Sequence, residues 1–146
     1  MIAYEASLTY QLVNFDAADP LANTKQMLAY LTKGVPETDN ETFWVLAMNP
    51  KHRPICRQRL ACGPLVATHV GVQKIFLSIA LAEAKAFVCL RTQPSGAVQP
   101  TLADGRLAFN VREMAKLCQV EFVDYLITRL DARDYYSWRE SGKWSE

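Results

Sequence analysis

Hydrophobic and polar positions alternate near the start of the chain. Tyr4, Ala6, Leu8, Tyr10 and Leu12 fall on one side of residues 3–15, and Glu5, Ser7, Thr9 and Gln11 on the other. A period of two predicts a half-exposed strand of the kind found at a sheet edge. Asp19-Pro20 then predicts a helix start, with Asp as N-cap and Pro at the first helical position. Leu21, Met27, Leu28 and Leu31 form its apolar side, and Gly34 with Pro36 ends it. Phe43-Trp44-Val45-Leu46-Ala47-Met48 is apolar throughout and of strand length, as expected of a central strand covered on both faces. A turn over 49–53 and a more polar strand from Ile55 to Ala61 complete a hairpin.

Gly63-Pro64 breaks the pattern. Val72, Ile75, Phe76 and Ile79 then recur at helical spacing on a helix ending near Ala84, and Ala86–Leu90 reads as a buried strand. Leu107, Val111, Met114 and Cys118 mark a further amphipathic helix. Val120–Leu130, apolar on both faces, predicts a second central strand, and Tyr135–Trp138 a short last one before a frayed tail from Ser141. About three helices around a mixed sheet of five or six strands give an α/β or α+β fold with helices on the sheet faces.

Composition narrows the class. The 146 residues are half hydrophobic and 21% charged, the balance of one globular domain. A net charge of +1 gives no general electrostatic case for nucleic acid or membrane. No apolar run approaches the ~18 residues of a membrane span, and the first residues lack the basic and apolar regions of a signal peptide, so the expected compartment is the cytoplasm. Cys56, Cys62, Cys89 and Cys118 show no C-x-x-C spacing and are expected to be reduced and structural. His52 and His69 lie in different loops with no i, i+4 partner and read as surface residues.

Candidate chemistry gathers after the strand 86–90, in the stretch Leu90-Arg91-Thr92-Gln93-Pro94-Ser95-Gly96 running on through Pro100-Thr101 to Asp104. Strand ends that lead into helices are where α/β folds place ligand-binding groups. Ordinary roles are open for the same residues. Thr101 and Asp104 suit a helix N-terminus, Glu41 a polar strand cap, Arg91 a strand end reaching water, and Gln93 a loop hydrogen bond. Asp124, inside an apolar run, needs buried partners, for which backbone amides or Arg91 are candidates. Lys51, His52, Arg53, Arg57 and Arg59 form a basic hairpin, with Arg129, Arg133 and Arg139 as further cations; such a cluster reads first as a solvated face, and a nucleic-acid surface is the alternative.

Several of these motifs, taken in order, resemble the RadC family of the JAB/MPN (JAMM) metalloprotease-like fold. Pro94-Ser95-Gly96, Pro100-Thr101 and Asp104 are similar to the tail of its His-x-His-Pro-Ser-Gly…Pro-Ser-x-x-Asp signature. Glu41-Thr42-Phe43 resembles its Glu-x-Phe strand start, Gly63-Pro64-Leu65 its Gly-Thr-Leu, and Gln73-Lys74-Ile75-Phe76 its Arg-Glu-Ile-Phe. Asp124-Tyr125-Leu126-Ile127 resembles its Asp-His-Ile-Ile, and Tyr136-Ser137-Trp138-Arg139-Glu140 its closing Tyr-Ser-Phe-Arg-Glu. The motifs cover residues 41–140 of a single domain spanning 1–146, with an N-terminal strand and helix in 1–40 that carry no signature.

The resemblance implies a three-layer, cytidine-deaminase-like architecture and a zinc site. In the family two histidines and an aspartate bind zinc, a glutamate is the general base, and a hydroxyl steadies the tetrahedral intermediate. Glu41, Thr101 and Asp104 stand at the glutamate, hydroxyl and aspartate positions, while Arg91 and Gln93 replace the histidines. Arg offers no lone pair and a glutamine amide is a weak zinc ligand, so the expectation is no zinc, no cofactor and no catalysis. The Arg91 guanidinium would instead fill the metal volume and pair with Glu41, Asp104 or both. The pocket would comprise Glu41, Arg91, Gln93, Ser95, Thr101, Asp104 and Asp124.

A non-catalytic module that binds another protein or itself is the first functional expectation. A JAMM-type peptidase or isopeptidase with an altered site is an alternative. A DNA-associated role is another, because RadC relatives carry a historical DNA-repair label. A weaker idea has Arg91 and the Ser95-Gly96 amides holding an anion.

Overall fold

A computed structural model describes residues 19–131 and 134–143. The strand expected over 3–15 and the cation Arg133 lie outside the described residues. Nine elements follow in order: α1 (Thr24–Thr32), β1 (Glu41–Met48), β2 (Pro54–Gly63), α2 (Val66–His69), α3 (Val72–Leu81), β3 (Ala86–Thr92), α4 (Leu102–Cys118), β4 (Glu121–Thr128) and β5 (Tyr135–Ser137). The strands form one mixed sheet in the order β2-β1-β3-β4-β5. Only β3 and β4 run parallel, joined by the α4 crossover.

The continuous apolar runs take the interior places. All seven residues of β3 are buried, as are all of β4 but Glu121. The period of two sends alternate side chains into two cores. Phe43, Val45, Phe87, Cys89, Tyr125 and Ile127 face α2, α3 and α4, whereas Leu46, Met48, Val88, Leu90 and Leu126 face Met27 and Leu31 of α1. The result is three layers, with the sheet in the middle. No helix among the described residues is long and apolar enough to cross a membrane.

Beyond shifts of a few residues at other element ends, three differences from the sequence reading stand out. Helix α1 begins at Thr24 and not at Pro20. Asn23 caps it by accepting from the Gln26 amide at 2.9 Å, while the Leu21 amide is held by the His52 carbonyl in the β1–β2 turn. The single turn α2 was not expected. Leu65 precedes it in a left-handed conformation (φ 54°), and Val66 and Ala67 are buried, so two apolar residues seed one turn. Strand β3 runs two residues past the apolar stretch and so includes Arg91, which lies opposite Phe43 of β1 and Ile127 of β4.

The cysteines are all free, but only Cys89 is fully buried; Cys62 and Cys118 are exposed rather than packed. Burial pushes the Cys89 thiol well above its usual range, which keeps it protonated.

Candidate functional site

The site lies where β3 ends and α4 begins. Arg91 is only 2% exposed, because β1 and β4 flank it in the sheet and α4 covers it. Its guanidinium meets Asp104 in a two-pronged pair, with Nε donating to Oδ1 at 2.8 Å and Nη2 to Oδ2 at 2.7 Å. The remaining edge of the fork donates to Gln93 Oε1 at 3.2 Å and to the Gln99 carbonyl at 3.4 Å. Glu41 Oε2 lies 3.8 Å from Nη1. The alternative of an Arg91 that reaches water is therefore not realised.

Asp104 performs two tasks. As the third residue of α4 it closes a capping box, accepting from the Thr101 amide at 2.8 Å while Thr101 Oγ1 accepts from the Asp104 amide at 3.2 Å. The same carboxylate accepts the Tyr125 hydroxyl at 2.6 Å and both prongs of Arg91. Burial works against the charges of both partners but is outweighed. The Arg91 bonds, the Thr101 amide and the Tyr125 hydroxyl hold the Asp104 carboxyl below the usual carboxylate range. The bonds and charge of Asp104, with a smaller contribution from Glu41, hold the Arg91 guanidinium above its ordinary value. Both groups are ionised at neutral pH.

Glu41 starts β1 and is positioned by the unexpected turn α2, since its Oε1 accepts the Val66 amide at 3.2 Å. Gln93 folds the loop over the site: its amide nitrogen donates to the Ser95 and Ala97 carbonyls at 3.0 and 2.9 Å. Ser95 thus contributes a carbonyl and lies on the exposed side of the loop. With the guanidinium enclosed and bonded to protein acceptors, the cation of the anion-pocket idea is already committed.

Asp124 does not join this group. Neighbouring strand residues point to opposite faces, so Tyr125 faces Asp104 while Asp124 turns away from Arg91. Asp124 accepts the Tyr125 amide at 2.7 Å, the Arg139 amide at 3.0 Å and the Ser137 hydroxyl, which ties the end of β5 to β4. Burial raises its carboxyl despite these bonds. Asp124→Ala, which strips the buried Tyr125 amide, the partly buried Arg139 amide and the Ser137 hydroxyl of their acceptor, is expected to cost about 2–4 kcal/mol. Asp124→Asn, which keeps an acceptor oxygen, is expected to cost less than about 1 kcal/mol. Urea unfolding of the two variants checks this ranking.

Tyr125 is the residue that sequence reasoning left out of the pocket. It is completely buried, between the rings of Phe43 (6.0 Å) and Trp138 (5.7 Å). Burial and the Asp104 charge push its hydroxyl far above the usual range, so it acts as a donor. Two signals point to it: the alternation that sets it on the face of Ile127, and its place at the histidine of the family's Asp-His-Ile-Ile motif, a third histidine beside the two zinc ligands.

The basic hairpin does not assemble with Arg129. Arg57 donates to the Tyr30 and Leu31 carbonyls at the end of α1 and lies over the Trp44 ring at 5.5 Å. Arg129 pairs with Asp131 at 2.9 Å at the end of β4, with β1 and β3 between it and β2. His52, which was expected at the surface, is partly covered and meets Glu121 at 3.1 Å.

Comparison with known proteins agrees with this architecture. Residues 21–143 match the family described as the RadC-like JAB domain, so the match takes in α1 as well as the motifs of 41–140. A UPF0758 protein of Histophilus somni (strain 2336) is 24% identical over 138 residues, covering 94% of this chain and 61% of that protein. One from Chlorobium chlorochromatii (strain CaD3) is 26% identical over 113 residues, 77% of this chain and 50% of its own length. The chain therefore spans about half to three-fifths of the curated relatives it matches. With its mixed five-stranded sheet between helical layers, the chain belongs to the RadC-like JAB domain family.

Proposed function

We propose that this chain is a RadC-like JAB-fold protein that has lost its zinc site and serves as a non-catalytic protein-binding or scaffold module, for another protein or a second copy of itself. One observation carries the reading: the Arg91 guanidinium is bonded to Asp104 and lies 3.8 Å from Glu41, where the family resemblance calls for a histidine ligand.

The donor set at this position does not fit zinc. A catalytic zinc takes three protein ligands with free lone pairs, plus water. An ionised carboxylate has about four lone-pair positions. On Asp104, Oδ1 already accepts from Arg91 and Tyr125, and Oδ2 from Arg91, the Thr101 amide and the Thr101 hydroxyl. Arg91 has no lone pair, and the Gln93 oxygen accepts from Arg91. A guanidinium also satisfies two neighbouring carboxylates that would otherwise repel. The four free cysteines suit a reducing compartment such as the cytoplasm, where this reading puts the protein.

The test is turnover of fluorogenic peptide and lysine-isopeptide substrates by the purified chain, with and without one equivalent of zinc. No turnover above buffer is expected in either case. Hydrolysis that a chelator abolishes would replace this reading with a JAMM-type peptidase acting through an altered site.

A further inference from the structure

We propose that the outer face of α4 is a docking groove for an acidic peptide segment with an apolar anchor. The inference rests on the protein-binding reading above and locates the surface that does the binding. Helix α4 buries Asp104, Leu107, Ala108, Val111 and Ala115 against the sheet. The solvent side of such a helix is ordinarily polar. Here Leu102 is 83% and Phe109 64% exposed, and with Gly105 and Arg106 they recur at helical spacing along one groove.

Trp138 forms the opposite wall. Its ring edge lies 3.8 Å from where a Cβ on Gly105 would be, so the indole approaches the helix closely at the glycine. The cavity measures about 630 Å³. Large apolar side chains gathered in a groove, an aromatic among them, are the usual anchor sites of protein interfaces.

Charge decides the partner's chemistry. Among the described residues, Arg106 and Lys143 are the charged ones lining the groove, and no carboxylate lines it. The Lys143 ammonium lies over the Trp138 ring at 5.5 Å. No ion pair among the described residues uses either cation. Two cations beside an apolar floor favour aspartate or glutamate next to a leucine, phenylalanine or similar anchor, and disfavour a basic segment.

The experiment is selection from a random displayed-peptide library on the full chain, followed by affinity measurement of the recovered peptides. The expected peptides carry an apolar residue flanked by Asp or Glu. Their affinity should fall about tenfold or more with Phe109→Ser, and again with the Arg106→Glu, Lys143→Glu pair. It should be unchanged by Leu77→Ser, a control at another exposed apolar residue on α3. Melting temperatures confirm that each variant is folded.

Recovery of no peptide, or of peptides without acidic bias, overturns the proposal. So does binding that appears only once residues 144–146 (Trp-Ser-Glu) are removed, which would make the chain's own end the occupant. Self-association abolished by the groove variants would do the same in favour of a second copy. Binding that responds to Leu77→Ser alone sinks the groove but keeps the scaffold reading, whereas chelator-sensitive cleavage of the peptides sinks that reading itself.

Discussion

Asp104→Ala is expected to destabilise the protein by about 3–5 kcal/mol, the usual cost of leaving one member of a buried ion pair alone. For a chain of this size that lowers the melting temperature by on the order of 10 °C. Three losses coincide at this residue: the pair with Arg91, the capping box of α4, and the acceptor of the buried Tyr125 hydroxyl. Arg91→Met combined with Asp104→Asn should cost less than the two single changes added together, with a coupling of about 2–3 kcal/mol. Additive single effects would mean that the guanidinium and carboxylate are not bound as described. The pair also fixes the sign of a pH effect. Asp104 gives up its proton at lower pH in the folded chain than in the unfolded one, so its contribution is complete above the ordinary carboxylate range. It is lost as the pH falls through the lowered folded value. Acid unfolding curves of Asp104→Ala should lack that part of the slope.

Arg91→His with Gln93→His should convert the chain into a zinc protein. The two changes remove the cation from the centre of the site and free lone pairs on Asp104. They also put two imidazoles beside that carboxylate, the His₂-carboxylate set that zinc favours. About one zinc per chain is expected, together with a rise in melting temperature that grows with free zinc. Arg91→Ala alone clears the volume without supplying ligands and should not gain metal. If the doubly substituted chain takes up no zinc although it is folded, the loss of the two histidines is not what separates this site from the family's, and Tyr125 at the third histidine position becomes the next residue to change.

Much of the fold was legible because its long elements carry either a helical period or an unbroken apolar run. The runs that became β1, β3 and β4 are apolar on both faces, and only the interior of a sheet hides such strands. The short elements were not legible in that way. Helix α2 has four residues, too few for any period, and its existence depends on Leu65 taking a left-handed conformation and on Glu41 accepting its first amide. The Arg91–Asp104 pair is expected only through the family resemblance, which sets both residues around one metal volume; the apolar run by itself suggests just a strand end. The acceptor of Arg91 comes thirteen residues later on a helix, and no local pattern records that a buried cation will find one. Thr101 and Asp104 posed the opposite difficulty. Capping and pocket roles predict the same residue types, and here Asp104 fills both. Asp124 and Tyr125 are adjacent in sequence, so strand pairing alone decides which faces α4. Charge marks the aspartate in the sequence, while the tyrosine blends into an apolar run.

The most direct test of the account is zinc titration of the unsubstituted chain by isothermal calorimetry, with elemental analysis of the same sample before and after dialysis. No saturable heat and far less than one zinc per chain are expected, because Arg91 holds the carboxylate that zinc would need. One equivalent of zinc bound, lost with Asp104→Asn, would contradict that expectation.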